Sequence, residues 1–490
     1  MSTSPTTDPA PVTESASPSL SGGPSAVAGP RPNVIVFFTD QQRWDSLGSA
    51  GNPSGLTPNL DLMAKSGVSF DAACTTNPVC APARSALLTG MYPTQTTVIT
   101  NGLSLPLDIP TLGKLFQDAG YRTGYIGKWH LVEGQGAVVP PEAREGWDFW
   151  LASNVLEWTS DEYRTVLYDG DGAPVELPGY RADAMTDAMI RFIAGNAAPG
   201  EEDKPFFLFT SFLEPHQQNE LDNYPAPEVY QGAFKDAWLP PDLAQLGGNS
   251  REHLSGYYGQ IKRLDECVGR VRDVLRSLEI RDQTVLAYTS DHGSHFKTRN
   301  SEYKRSCHDG SVRVPFLFEG PGFVRGAHLS TPVSTVSLGP TLLEAAGIPV
   351  PDHMQGEALR TSVLNPPEDA AVLIQISESE YGRAVRTSRW KYHVVADQQG
   401  GPEYREEALY DLYADPYELT NVIGNPGHEE KAAELKATLI DLVREIEGVD
   451  VTVTDHPDRA KLKRHQRGAD TQVRINKLRG ASFGHQVPSS

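Results

Sequence analysis

Runs of apolar, β-branched and aromatic residues recur along this chain, and each ends abruptly in a residue that can do chemistry. Asn33 to Thr39 reads NVIVFFT and stops at Asp40-Gln41, while Thr284 to Ser290 reads TVLAYTS and stops at Asp291-His292-Gly293. Lys204 to Leu213 is a further largely apolar run and delivers Glu214-Pro215-His216, and Gly120 to Gly127 leads into Lys128-Trp129-His130. Apolar runs this short and this continuous predict buried strands of a sheet covered on both faces. In such sheets ligands bind beyond the carboxyl ends of the strands. Arg313 to Phe318 predicts one more strand.

A different pattern begins at Cys80. Pro82 suits a first helical turn, Ser85 to Leu88 continue it, and Gly90 ends it, so the segment predicts a short helix with Cys80 at its positive end and Arg84 one turn on. Farther along, Asn365-Pro366-Pro367-Glu368 breaks the pattern. Beyond it, residues 371–376, 383–393 and 408–412 alternate like antiparallel strands, and Leu435 to Ile446 reads as an amphipathic helix. The expected organisation is a Ser/Thr/Pro-rich disordered segment at 1–30, a catalytic α/β domain at 31–365, a C-terminal subdomain at 366–450 and a basic tail at 451–490.

The residues at the strand ends form a coherent chemical set. Asp40, Gln41 and Asp291 offer hard oxygen ligands and His292 an imidazole, which suits Ca²⁺, Mg²⁺ or Mn²⁺ better than a thiolate-seeking metal. Alternation along an extended backbone puts Lys128 and His130 on one side, where both can reach one anion. Lys304 and His308 stand four apart and share a face if their segment is helical. Cys80 beside Arg84 suits an activated nucleophile or an anion site.

On these residues the chain resembles the type I sulfatases of the alkaline-phosphatase-like superfamily. Cys80-Ala81-Pro82-Ala83-Arg84 is similar to that family's C-x-P-x-R signature, and Gly120 to Leu131 resembles its second signature, ending in Gly-Lys-Trp-His. Asp40, Pro215-His216, Asp291-His292-Gly293, Lys304 and Val312 to Pro315 follow in the family's order, over roughly residues 31 to 445. The implied fold is α/β: an alkaline-phosphatase-like central mixed, mostly parallel sheet flanked by helices, with a smaller α+β subdomain of antiparallel sheet plus helix.

The resemblance also implies a reaction. Cys80 would be oxidised to Cα-formylglycine by a formylglycine-generating or anaerobic maturation enzyme. Its hydrated aldehyde would attack sulfur, release the alcohol and then expel sulfate, so one difficult displacement becomes two easier steps. Asp40, Gln41, Asp291, His292 and the matured Cys80 would hold the metal. Arg84 would steady the nucleophile, Lys128 and Lys304 would bind sulfate, His130 would serve as base and His216 as general acid, and His308 would contact substrate or orient Lys304. Gln41 replaces a common aspartate and His292 a common asparagine, which leaves the cation open between Ca²⁺, the first choice, and Mn²⁺. The expected substrate is a small sulfate monoester, with a sulfated carbohydrate foremost. Choline or aryl sulfates, and phosphonate or phosphate mono- or diesters, are the alternatives on the same fold.

Charge and cysteine usage add limits. A net charge of −20 with no nucleic-acid motif argues against nucleic acid as a partner, yet permits a local cationic pocket because salt screens charge over about 10 Å. No signal peptide or membrane span is legible, and four cysteines without framework spacing predict a reduced, cytoplasmic enzyme. The spacing of residues does not reveal an oligomeric state.

Overall fold

The computed structural model describes residues 31–455, apart from 198–203, 219–220, 324, 363–366 and 368–369. The segment expected to be disordered at 1–30, the basic residues from 456 onward and most of the expected break at 365–368 lie outside the described residues.

A ten-stranded mixed sheet organises the larger part of the chain. Its centre is four adjacent parallel strands in the order Thr284–Ser290, Asn33–Thr39, Phe206–Ser211 and Arg122–Lys128, joined on the far side by Phe149–Ser153. Antiparallel pairs flank this core: Phe316–Glu319 lies against Thr284–Ser290, and Arg164–Asp169 against Phe149–Ser153.

Alternation within the central strand shows why the run is apolar throughout. Val34, Val36 and Phe38 pack into one core with Leu87 and Leu88 of the helix Cys80–Thr89, together with Leu112, Phe116 and Leu338. Ile35 and Phe37 pack into the opposite core with Met185 and Met189 of Arg181–Asn196 and Leu264 and Val268 of Ser250–Ser277. A strand sandwiched between helices has no solvent face on which a polar residue could sit.

The register then sets the site. Thr39 pairs with Ser290, Phe38 with Ser211 and Gly127 with Ser211, so the four central strands end at one level. Whatever follows each strand meets above the same edge.

The second sheet orders Val372–Ile376, Tyr381–Arg386, Trp390–Ala396, Glu403–Asp411 and Thr452–Thr454, with the helix Glu429–Glu447 packed on it through Leu435, Leu439 and Val443. It is antiparallel except at its edge. There Thr452–Thr454 runs parallel to Glu403–Arg405, so the sheet takes a strand from the stretch expected to begin the basic tail. Among the described residues no helix is long and apolar enough to cross a membrane.

Candidate active site and metal centre

Asp40 and Asp291 each follow a central strand directly, and both are fully buried. Two buried carboxylates side by side repel, and the chain answers with one guanidinium: Arg84 Nη2 lies 2.9 Å from Asp40 Oδ2 and 3.3 Å from Asp291 Oδ2. Arg84 Nη1 donates to Ser211 Oγ at 2.6 Å and to the Lys128 carbonyl at 3.1 Å, which fixes its plane across three strand ends. The helix that carries it runs from Cys80 to Thr89 and closes on Gly90 at φ +69°, a left-handed position that suits glycine.

Cys80 sits at the meeting point. Its Sγ lies 3.3 Å from His292 Nε2, 3.8 Å from Asp40 Oδ1 and 2.9 Å from the Lys304 ammonium. Burial alone would push the thiol up, but Lys128, Lys304 and His292, with a hydrogen bond to His130, hold it well below its usual range. Burial and the Cys80 sulfur likewise raise the Asp40 carboxyl, and Lys128, His216 and Arg84 outweigh them to hold it low. Asp291 moves the other way, pushed up by burial and by the neighbouring Asp40 charge.

Asp40, Cys80, Asp291 and His292 each place a ligand atom within 4.8 Å of the others, the geometry of a cation site. Three further observations fit a cation. His292 Nδ1 is engaged by the Gly293 carbonyl at 2.9 Å, which puts the ring's lone pair on Nε2, the atom that faces Cys80 and Lys304. The Gln41 amide nitrogen is engaged by Tyr224 and Ser294, while its Oε1 is buried without a partner. The Gln41 backbone turns at φ +70°, and its N–H donates to Asp291 Oδ1 at 3.0 Å.

Lys128, His130, His216 and Lys304 surround Cys80. Lys128 Nζ reaches Asp40 Oδ2 at 2.8 Å and Glu157 Oε1 at 2.9 Å. His130 joins the cluster for a reason other than strand alternation, because the strand ends at Lys128 and His130 takes φ +60°. Lys304 Nζ lies 2.9 Å from His292 Nε2 and 3.3 Å from His216 Nε2, and His216 Nδ1 is engaged by the Gln217 carbonyl at 2.7 Å.

His308 does not join them. The segment from 299 to 308 is irregular rather than helical, so Lys304 and His308 share no helix face. Both ring nitrogens of His308 are engaged elsewhere, Nδ1 with Ser306 and Nε2 with Tyr410, each at 3.1 Å. Burial, with Arg299 and Lys391 nearby, holds its pKa well below the usual range. His308 thus makes its hydrogen bonds to Ser306 and Tyr410 rather than to Lys304. His295 orients Lys304 instead, through a 3.0 Å contact from Nε2 to the Lys304 carbonyl.

Sequence reasoning also missed Glu157 and Ser211. Glu157 lies in a Trp- and Tyr-rich stretch where a lone glutamate carries no spacing signal, and Ser211 looks like any strand-end serine.

Comparison with known proteins bears on this geometry. The Sulfatase family model matches residues 32–348, and that of the N-sulphoglucosamine sulphohydrolase C-terminal region matches residues 301–445. The ulvan-active sulfatase of Formosa agariphila is 33% identical over 427 residues, covering 84% of this chain and 80% of that protein. The crystal structure named for sulfatase YidJ from Bacteroides fragilis superposes with a TM-score of 0.76 at 26% identity, covering 87% of this chain and 98% of that one. Ps i-CgsB in complex with k-i-k-neocarrahexaose superposes with a TM-score of 0.67 at 25% identity, covering 85% and 92% respectively.

Proposed function

The chain belongs to the sulfatase family and is a sulfuric ester hydrolase, and from that premise we propose that it cleaves a sulfate monoester of a carbohydrate, using Cys80 matured to Cα-formylglycine and one divalent cation. The observation that carries this reading is the convergence of Lys304 and His292 on Cys80, with His216 against Lys304 and the Asp40–Asp291 pair beneath. The carbohydrate class is supported by the relatives: one is named for activity on ulvan, and a solved neighbour holds neocarrahexaose.

Asp40, Asp291, His292 and the unpartnered Oε1 of Gln41 would hold the cation. Oxygen donors make Ca²⁺ the first choice, and the imidazole keeps Mn²⁺ as the alternative. When bound there, the cation would supply Lewis acidity to the reaction.

The chain's own residues do the rest. Arg84 keeps both carboxylates in place, and Lys128 and Lys304 supply positive charge where the sulfate oxygens gather it. His216 has its Nδ1–H committed to the Gln217 carbonyl, so Nε2, the atom facing Lys304, is the nitrogen that exchanges a proton, and the ring gives one to the leaving oxygen from its imidazolium form. His130 reaches the same centre, and its unpartnered Nδ1 leaves the ring free to move a proton.

The first test is the mass of the peptide containing Cys80 after expression with a formylglycine-generating system. Oxidation of the thiol to an aldehyde requires a loss of about 18 Da, as nucleophilic catalysis at this position demands. An unmodified thiol, with a control sulfatase matured in the same cells, overturns the proposed nucleophile. A panel of sulfated saccharides, aryl sulfate, choline sulfate and a phosphonate ester then tests the substrate. Faster turnover of the phosphonate would overturn the ester class, and faster turnover of aryl or choline sulfate would overturn the carbohydrate.

A further inference from the structure

The helix that begins at Cys80 has no side-chain cap, because the residue before it is Val79. Pro82 has no N–H, and the Ala83 N–H is taken by the Val79 carbonyl at 3.0 Å. The Ala81 N–H, next to the nucleophile, is satisfied from a distance by Asn101 Oδ1 at 3.0 Å. Asn101 is itself held: its backbone N–H donates to Glu378 Oε1 at 2.6 Å.

Glu378 belongs to the segment that follows the small-sheet strand Val372–Ile376, and its second oxygen is also used. Oε2 lies 2.6 Å from Arg305 Nη2. Arg305 is the residue after Lys304 and sits at φ +71°, a left-handed conformation that a long side chain holds only when its surroundings impose it. One carboxylate thus grips the loop that caps the nucleophile's helix and the loop that brings Lys304 to within 2.9 Å of Cys80 Sγ. Neighbouring contacts seat the same segment. The Gln375 N–H donates to the Thr76 carbonyl at 2.8 Å, and Ser377 Oγ links the Asn77 side chain, at 2.8 Å, to the Ile99 carbonyl, at 2.5 Å.

We propose that Glu378 is a positioning residue that sets the distance between the nucleophile at Cys80 and the Lys304 ammonium, by tying Asn101 and Arg305 to the small sheet. The inference rests on the sulfatase reading for its catalytic consequence, though not for its geometric one. His295 and Asn300 hold the Lys304 carbonyl at 3.0 Å each, so the segment stays folded without Glu378, and what is lost is the register between the two loops.

Glu378→Gln keeps a carbonyl for the Asn101 N–H and removes the charge that holds Arg305. A misplacement of about 1 Å costs on the order of 100-fold in rate. The expected result on the matured, metal-loaded enzyme is a kcat lowered about 10- to 100-fold, with a melting temperature within about 2 °C of the wild type. Arg305→Gln should produce the same loss, and the double variant should be no worse than Arg305→Gln alone, because both remove the Glu378–Arg305 pair and the remaining Arg305 contact, to Glu302 at 3.4 Å, is a half-exposed one of little worth. Glu378→Ala serves as a second variant, cutting the Asn101 link as well and lowering kcat further.

Inorganic sulfate titrated calorimetrically into the unmatured protein gives a readout without turnover. Weaker binding in Glu378→Gln supports the positioning role even if the ester assignment fails. An unchanged kcat per folded molecule with unchanged sulfate binding would overturn it, as would additive losses in the double variant.

Discussion

The Lys128 ammonium is shared between Glu157 and the metal-site acid Asp40, at 2.9 Å and 2.8 Å, with all three side chains buried. Burial would raise the Glu157 carboxyl, and Lys128, His130 and His216 keep it low, so Glu157 is a standing negative charge beside the anion pocket. At an effective dielectric of about 20, a unit charge a few ångströms away is worth on the order of a few kcal/mol. Glu157→Gln keeps a hydrogen bond to Lys128 and removes that charge. Inorganic sulfate should then inhibit the enzyme about tenfold more strongly. An unchanged inhibition constant would mean that Glu157 only orients Lys128.

Replacing His292 should shift which cation the site prefers. Its Nδ1 is engaged by the Gly293 carbonyl, so Nε2 is the donor it can offer, and an imidazole favours a transition metal over calcium. His292→Asn replaces that nitrogen with an oxygen. Added Ca²⁺ should then stabilise the variant more, relative to Mn²⁺, than it does the wild type. The melting temperature of chelator-stripped protein, titrated with each ion, reads the ratio directly.

The parts of the site legible in the sequence are those that follow buried strands. Asp40, Asp291, Lys128 and His216 are legible because each follows an apolar run and together they make a coherent set of ligand and anion-binding groups. Cys80 and Arg84 are legible through helix punctuation at Pro82 and Gly90. Periodicity does not reach residues on irregular backbone, and there the resemblance, not the pattern, is what named Lys304 and His130. His130 enters the site because its own backbone turns to φ +60°, and His308 leaves it because the segment after Lys304 is not helical. Periodicity describes regular segments only, so partners such as Glu157, His295 and Glu378 become visible when the fold brings distant loops together.

His216 should matter in proportion to how badly the leaving group needs a proton. Its Nε2 is the atom available to a leaving oxygen, and general acid catalysis contributes typically about 10²- to 10⁴-fold. A sugar alkoxide is a far poorer leaving group than a phenolate. His216→Ala should therefore lower kcat on a sulfated saccharide by about 10²-fold or more, and on an activated aryl sulfate by much less. Equal losses on the two substrates would assign His216 to sulfate binding rather than proton transfer.

Acid stability should turn in part on His295, alongside His308, whose pKa burial likewise holds low. Burial, with Arg299 nearby, pushes the His295 pKa down to about 3, while its Nε2 stays engaged by the Lys304 carbonyl. In the unfolded chain the same imidazole titrates near about 6.5. Between those two values the unfolded state binds a proton that the folded state refuses, so stability falls as pH falls. The slope is about 1.4 kcal/mol per pH unit, beginning below about pH 6.5 and ending near the folded pKa. Above pH 7 the residue is neutral in both states and contributes no pH dependence. His295→Gln retains an amide donor for the Lys304 carbonyl and cannot titrate. Urea unfolding midpoints from pH 7 to pH 4.5 should therefore decline less steeply in the variant than in the wild type, with the two curves diverging as the pH drops. Parallel curves would show that another group, and not His295, takes up the proton on acid unfolding.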